Sequence, residues 1–218
     1  MTLTEINKKI EKLKWEYGKH ELKEESVKPN PFEQFVAWFS EALQSSLHDP
    51  SAMVLATVDE KGLPDTRVVL LKQLEDNRFI FFSHYGSKKA KELALHNVAA
   101  LNFYWPASIR QIRIRGRVEK TDRAQSESYF ATRVREAQIG AHAWVQSSVF
   151  SSREELLNRL KSTTTKMYDK EVSCPESWGG YALVPFEYEF FQGRMWRMHD
   201  RLLYTLAGDQ WKMERLAP

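Results

Sequence analysis

The residues in this chain best suited to chemistry are cations placed where an anion would be welcome. Tyr85-Gly86-Ser87-Lys88-Lys89 follows a strand-like run and opens a helix-like one. A helix N-terminus presents free N–H groups and the positive end of the dipole, so two lysines there are misplaced unless they share an anion such as phosphate. A solvated helix with outward lysines would show the same pattern. Arg67-Val68-Val69-Leu70-Leu71-Lys72 carries a cation at each end of an apolar run. Positions five apart fall on opposite faces of a regular strand, so the two should meet different groups unless a bulge re-aims one. Two edge charges snorkelling to water are the plain alternative.

Tyr129 and Arg133 are four apart on a predicted helix and project together, a clamp for a small anion or an ordinary surface pair. In Arg197-Met198-His199-Asp200-Arg201, a strand would turn Arg197, His199 and Arg201 to one side. Histidine between two guanidiniums is a costly cluster to keep without an anion; a charged hairpin rim is the other reading. Gln111, Arg113, Arg115 and Arg117 share one strand face, opposite Ile112 and Ile114. That face suits a nucleic-acid surface or, more commonly, a solvated face balanced by acidic neighbours. The chain has no Gly-x-Ser-x-Gly elbow, Walker loop or Gly-x-Gly-x-x-Gly fingerprint, and no His/Asp/Glu cluster at metal-site spacing. Difficult chemistry would then need an organic cofactor.

The elements that must position these groups alternate between helical and strand texture. Thr4–Tyr17 has helical spacing of Ile6, Ile10, Leu13 and Tyr17, followed by a charged, aperiodic connector over 18–29. Asn30-Pro31 reads as an N-cap with proline at the first helical position, ahead of Phe32, Phe35, Val36, Phe39 and Leu43. Ala52–Asp59, Thr66–Leu74 and Arg78–Ser83 read as a three-stranded meander. Further strands are expected over Val98–Tyr104, Gln111–Lys120, Tyr181–Val184, Glu187–Gln192, Leu202–Thr205 and Trp211–Arg215. Helices are expected over Ser87–His96, Asp122–Arg133 and Ser152–Met167, the last with a Ser152/Glu155 capping box. Hairpin-linked strands with inserted helices predict an antiparallel barrel decorated by helices.

With 218 residues, 42% of them hydrophobic and 12% aromatic, the chain can bury a real core, which excludes a disordered or low-complexity protein. Its 32 basic and 29 acidic side chains leave a net charge of only +3, which favours a balanced surface over polyanion binding. No apolar run is long enough to span a membrane, and the first 30 residues contain no secretory signal. The single cysteine, Cys174, excludes an intrachain disulfide. A soluble protein of a reducing, cytoplasmic compartment is expected.

Taken in order, several segments resemble the pyridoxine/pyridoxamine 5′-phosphate oxidase family. They are Asp49-Pro50-Ser51-Ala52-Met53, Arg67 to Lys72, Gly86-Ser87-Lys88-Lys89-Ala90, Arg110-Gln111, Gln138-Ile139-Gly140-Ala141, Gln146-Ser147-Ser148, Trp178-Gly179-Gly180, Arg197 to Arg201 and Arg215-Leu216-Ala217-Pro218. The resemblance runs from Tyr17 to Pro218. It implies an α+β, FMN-binding split β-barrel with peripheral helices over 30–218, preceded by a mobile lid or arm over 1–29. It also implies a homodimer with FMN at the subunit interface.

By position it implies a cofactor set of Arg67, Val68, Leu70, Leu71, Lys72, Phe82, Ser83, Lys88, Lys89, Gln111, Gln146, Ser147, Phe191 and Arg201. Arg67, Ser83, Lys88 and Lys89 would surround the FMN phosphate. Lys72, Tyr129 and Arg133 would hold the substrate phosphate, Arg197 and His199 would lie over the pyridine ring as the catalytic pair, and Lys14 and Tyr17 would belong to the lid. The implied reaction oxidises pyridoxine or pyridoxamine 5′-phosphate, with O₂ as acceptor. The chain departs from the family pattern at Ala137, where Ser is usual, at Phe82 and Phe191, where Tyr and Trp are usual, and at Lys14 and Lys88, which replace Arg. These changes bear on affinity more than on the reaction. Another split-barrel flavoprotein would share Arg67 and the Lys88-Lys89 start without needing Tyr129/Arg133 together with Arg197/His199. An RNA-binding barrel would instead use the Arg113/Arg115/Arg117 face.

Overall fold

The computed structural model describes residues 1–12, 20–45 and 48–218. The first helix, α1 (Leu3–Lys12), carries Ile6 and Ile10 exposed and buries nothing. Tyr17, its expected end, lies outside the described residues. Helix α2 (Pro31–Gln44) forms as its caps dictate: the Asn30 side chain accepts from the Phe32 N–H at 2.9 Å, and Pro31 opens the first turn. Its apolar stripe drives Phe35, Trp38 and Ala42 into the core, where the Phe35 ring meets Phe79 edge-on at 4.7 Å.

The strands are β1 (Ala52–Val58), β2 (Pro64–Leu70), β3 (Gln73–Glu75), β4 (Arg78–His84), β5 (Val98–Trp105), β6 (Arg110–Lys120), β7 (Trp178–Gln192), β8 (Asp200–Ala207) and β9 (Gln210–Leu216). They form one antiparallel sheet in the order β2-β1-β5-β6-β7-β4-β3, with β8 and β9 added beside β7. The expected meander is therefore wrong after its first hairpin. β4 pairs with β7 and with the short β3, not with β2, because the run read as Thr66–Leu74 breaks after Leu70 and only its end, in β3, keeps the expected hairpin. Leu71 and Lys72 carry the chain from one end of the sheet to the other: the Leu71 N–H donates to Ser51 and the Lys72 N–H to Ile80. Since β2 and β3 are the two ends of the sheet, that link curls it into a barrel and leaves few open edges.

The two strands expected at 181–184 and 187–192 are one 15-residue strand, β7. Its first half pairs with β4 and its second half with β8, while β6 follows it throughout, with a register shift between Arg115 and Gly116. Gly116 is required there, because a Cβ would collide with the Val184 carbonyl. This shared, bent strand splits the barrel. The fold is a split β-barrel with peripheral helices. Its core, between the curled sheet and α2, includes Phe35, Leu55, Phe79, Phe81, Phe103, Ile112, Ile114 and Phe190.

Helices α3 (Lys88–Leu95), α4 (Arg123–Ala131) and α6 (Arg153–Lys166) occur where expected, and α5 (Arg135–Ala143) is an addition. At α6 only half the capping box forms: the Ser152 hydroxyl accepts from the Glu155 N–H, but the Glu155 carboxylate reaches past it to Ser151. Residues 20–29, expected as a loose connector, are fastened to the sheet. The Arg215 guanidinium donates to both carboxylate oxygens of Glu24, Leu22 is buried, and the Tyr204 hydroxyl donates to the Lys28 carbonyl at 2.9 Å. Among the described residues, no helix is long and apolar enough to cross a membrane.

Candidate active site

A cavity of about 740 Å³ opens between β2, β4, the start of α3 and the α4–α5 region. It gathers Arg67, Val68, Leu70, Lys72, Phe82, Ser83, Lys88, Lys89, Tyr129, Arg133, Gln146 and Ser147, residues spread over 80 positions of sequence. The end of β2 answers the question raised by Arg67 and Lys72. The strand stops at Leu70, Leu71 turns into the core, and Lys72 is re-aimed so that both cations line one space.

The cations are not equivalent. Arg67 is already engaged: its guanidinium meets Asp65 at 2.9 Å and Glu92 at 3.1 Å, and donates to the Thr57 hydroxyl. The Lys88 ammonium lies 2.7 Å from Asp65, which raises its pKa. Lys88 thus settles its conflict with the helix dipole inside the chain. Lys89 does not. It is 8% exposed, and among the described residues its ammonium hydrogen-bonds only neutral acceptors: the Ser83 hydroxyl at 3.2 Å, the Ser87 hydroxyl at 3.4 Å and the Gln146 side-chain carbonyl at 3.0 Å. Burial, aided by the Arg67 charge, lowers its pKa. An ammonium buried among neutral dipoles beside a helix N-terminus is chemically fitted to an incoming anion.

Among the described residues, Lys72 and Arg133 also line the cavity without a carboxylate partner. Helix α4 ends at Ala131, so Arg133 sits just beyond it, yet it still lines the cavity with Tyr129. Its guanidinium rests over the Trp178 ring at 4.8 Å and over Phe130 at 5.6 Å, and its buried Nη1 has no hydrogen-bond partner. Burial lowers its pKa. Phe82, Tyr129 and Trp178 form a wall of nearly parallel rings, Phe82 and Tyr129 being 4.0 Å apart at 14°. The Phe departure at 82 therefore keeps its stack.

Gly179 and Gly180 allow this wall. A Cβ on Gly179 would land on the Tyr85 hydroxyl, and one on Gly180 would strike the Thr121 side chain. The Gly180 N–H donates to the Ser126 hydroxyl at 3.1 Å, seating α4 against β7. Ala137, the departure from Ser, also lines the cavity. Sequence reasoning missed Asp65, His84, Glu92, Trp144 and Trp178 as site residues. Asp65 and Glu92 lie in segments that carry acidic residues on plain surfaces equally often, while Trp178 was visible within the Trp-Gly-Gly motif.

The remaining expected site residues lie elsewhere. Among the described residues, Gln111, Phe191, Arg197, His199 and Arg201 do not line this cavity. Gln111 is the cross-strand partner of Phe191, which in turn faces Arg201, and the His199 ring lies 5.0 Å from Phe191. Arg197 and His199 are not on a strand. Met195–Arg197 is a single turn with Trp196 and Arg197 in the left-handed region (φ 59° and 60°), and β8 begins only at Asp200. The shared strand face expected for Arg197, His199 and Arg201 is thereby corrected. His199 Nδ1 accepts from the Arg194 N–H, and burial, then the Arg197 charge, lowers its pKa. Arg201 is held by Glu189 at 2.9 Å and by the Ala217 carbonyl. Arg113 pairs with Glu189 and Arg115 with Glu187, so the basic β6 face is met by acidic neighbours on β7. Lys14 and Tyr17 lie outside the described residues.

Comparison with known proteins agrees with this architecture. Residues 39–166 match the family model described as pyridoxamine 5′-phosphate oxidase, and residues 178–218 match the pyridoxine 5′-phosphate oxidase C-terminal dimerisation region. A pyridoxine/pyridoxamine 5′-phosphate oxidase of Legionella pneumophila (strain Paris) is 47% identical over 203 residues, 93% of this chain and 94% of that one. One from Cyanothece sp. (strain PCC 7425 / ATCC 29141) is 44% identical over 209 residues, 96% and 98% of the two chains. The crystal structure of PhzG from Burkholderia lata 383, in complex with tetrahydrophenazine-1-carboxylic acid, superposes with a TM-score of 0.85. It is 26% identical and covers 92% of this chain and 98% of its own. On a family model spanning most of its length and on near-full-length relatives, the chain belongs to the pyridoxamine 5′-phosphate oxidase family of enzymes.

Proposed function

We propose that this protein oxidises pyridoxine 5′-phosphate and pyridoxamine 5′-phosphate to pyridoxal 5′-phosphate, with FMN as cofactor and O₂ as the final acceptor. The observation that carries the reading is a set of cavity cations, Lys72, Lys89 and Arg133, that form no ion pair among the described residues. The Lys89 ammonium has only neutral partners, and Arg133 has a buried Nη1 with none. Lys89 at the start of α3, and Lys72 with Arg133, make two anion-seeking groupings that suit two phosphate-bearing ligands, a cofactor and a substrate, and the donor set around Lys89 fits the FMN phosphate. FMN, when bound, would supply the two-electron acceptor for the substrate C4′ hydride, with O₂ reduced to hydrogen peroxide; the alcohol gives the aldehyde directly, and the amine gives an imine that water hydrolyses with release of ammonia.

The chain's own residues bind and orient. Lys89, Ser83 and the start of α3 hold the cofactor phosphate, with Arg67 and Lys88 completing the positive rim. Val68, Leu70 and Lys72 form the adjoining wall, with Leu71 between them turned into the core, and Gln146 and Ser147 reach the same space. Lys72, Tyr129 and Arg133 take the substrate phosphate, which fixes one end of the substrate and leaves the ring to be aligned. The substrate's charged end distinguishes this reading from that of a split-barrel enzyme acting on an unphosphorylated ring.

Arg197 and His199 then orient the pyridine ring, and Gln111, Phe191 and Arg201 approach the cofactor, from a second copy of the chain. Phe191, Arg197, His199 and Arg201 all fall within the segment that matches a dimerisation region, and they lie apart from the cavity of their own chain. A homodimer with two shared sites accounts for both facts. The segment ahead of residue 20, which contains Lys14 and Tyr17, acts as a lid on the substrate, and the protein works in the cytoplasm.

Subunit mixing tests this reading. Arg133→Ala and Arg197→Met are each expected to lose most peroxide production from pyridoxine 5′-phosphate. Unfolded and refolded together with FMN, they should recover about a quarter of wild-type activity, because half the dimers then carry one intact site. No recovery, with both variants dimeric and yellow, would refute the shared site. No peroxide from the wild type would refute the activity.

A further inference from the structure

Among the basic groups of the cavity, Arg133 is held in a different manner from Arg67 and Lys88. Those two are fixed by carboxylates that also take up their charge. Arg133 is in no ion pair among the described residues; two ring faces hold it instead, Trp178 at 4.8 Å and Phe130 at 5.6 Å. Trp178 is itself locked. It is 6% exposed, stacks on Phe82 at 5.4 Å and 10°, and meets Phe130 edge-on at 5.2 Å and 70°. The adjoining Gly179-Gly180 backbone, pressed against Tyr85 and Thr121, fixes where the indole begins.

We infer that Trp178 is a positioning residue for substrate binding: its indole face aims the Arg133 guanidinium into the cavity without neutralising it. The inference rests on the reading that this cavity takes a phosphate-bearing substrate. A carboxylate under Arg133 would fix it as firmly, but would then compete with the substrate phosphate for the same charge. A ring face attracts a cation through its quadrupole and leaves the net charge whole. Arg133 lines the cavity, and its Nη1 is claimed by no acceptor among the described residues. Trp178 also lines the cavity, so the two roles separate in one way: an effect exerted through Arg133 should vanish when Arg133 is absent, whereas a direct contact with the ligand should persist.

That dependence supplies the test. Trp178→Leu, Trp178→Phe, Arg133→Ala and the Trp178→Leu/Arg133→Ala double variant are compared with wild type as FMN-loaded protein. FMN content and thermal melting serve as controls. Two quantities are read: KM and kcat for pyridoxine 5′-phosphate, and the concentration at which inorganic phosphate competes or, by calorimetry, binds. Trp178→Leu should raise KM and weaken inorganic phosphate on the order of tenfold, with kcat moving much less. Trp178→Phe, which keeps a ring face, should restore most of the loss. In the Arg133→Ala background the Leu substitution should add almost nothing.

A Leu effect of equal size with and without Arg133, or one confined to kcat, would overturn the inference. If Trp178→Leu does not fold, Phe130→Leu, which removes the second ring under Arg133, takes its place in the same cycle and should give a smaller loss of the same kind. If wild type makes no peroxide, the proposed reaction fails, while the inorganic-phosphate titration still decides the role of Trp178.

Discussion

Replacing Lys89 by Met tests the logic of the cofactor end of the cavity. In the FMN-free protein this lysine is a liability. Its ammonium is removed from water, faces three neutral acceptors and shares its surroundings with Arg67, so burial and then that charge lower its pKa, with the Glu92 carboxylate offsetting part of the effect. A lysine whose folded-state pKa lies below its unfolded value makes the unfolded chain bind more protons between the two values. Stability of the FMN-free protein should therefore rise with pH across that window. Methionine fills similar space without the charge, and in the FMN-free state it should melt no lower than wild type and lose that pH dependence. With FMN the sign reverses. A charge-assisted contact to phosphate contributes about 1.5–3 kcal/mol, so Lys89→Met should weaken FMN roughly 10- to 150-fold. Quenching of flavin fluorescence on titration measures the affinity, and melting curves with and without FMN measure the linkage. Unchanged FMN affinity, or a lower melting point in the FMN-free variant, would refute the account of Lys89 as a cation awaiting an anion.

Gly179→Ala should destabilise the protein by about 1–3 kcal/mol, since its Cβ collides with the Tyr85 hydroxyl and pushes α4 from β7; chemical denaturation measures it, and a wild-type midpoint would refute the packing argument. Arg197→Met should keep FMN bound and the fold intact while lowering kcat/KM on the order of 10²-fold through loss of ring alignment, read by steady-state peroxide production. The Glu24 carboxyl is held at about 2, first by hydrogen bonding from Arg215. Its contribution is present above the usual carboxylate range and fades as pH falls from 4.5 toward 2. Wild type should thus lose more stability than Arg215→Met over that acid limb in pH-dependent melting.

Local chemistry made much of this protein legible in advance. The Asn30-Pro31 start of α2, the alternation of Ile112 and Ile114 with arginines on β6, and the turn that hands β4 to α3 through Ser87 each follow from contacts within a few residues. So did the pairing of Tyr129 with Arg133 near the end of α4, and the ordered motifs that mark the family. Helix α5 was missed because it opens at Val134, whose side chain caps nothing, whereas α4 and α6 announce themselves through Asp122 and Ser152. Arg197 and His199 were misassigned to a strand because alternation says nothing about the left-handed backbone at Trp196 and Arg197.

What residue order determined by itself was therefore the inventory: which cations exist, where the well-capped helices and most strands run, and which family pattern they compose. Only the tertiary structure decided how the charges are shared. Asp65 and Glu92 reach Arg67 from β2 and α3, Lys88 takes Asp65, and Lys89 is left among neutral dipoles. Arg133 is left on the face of Trp178, 45 residues away in sequence. The physical reason is range. Caps, periodicity and turns depend on neighbours along the chain, whereas a cation's freedom to bind an anion depends on every acceptor and every ring the fold brings within a few ångströms of it.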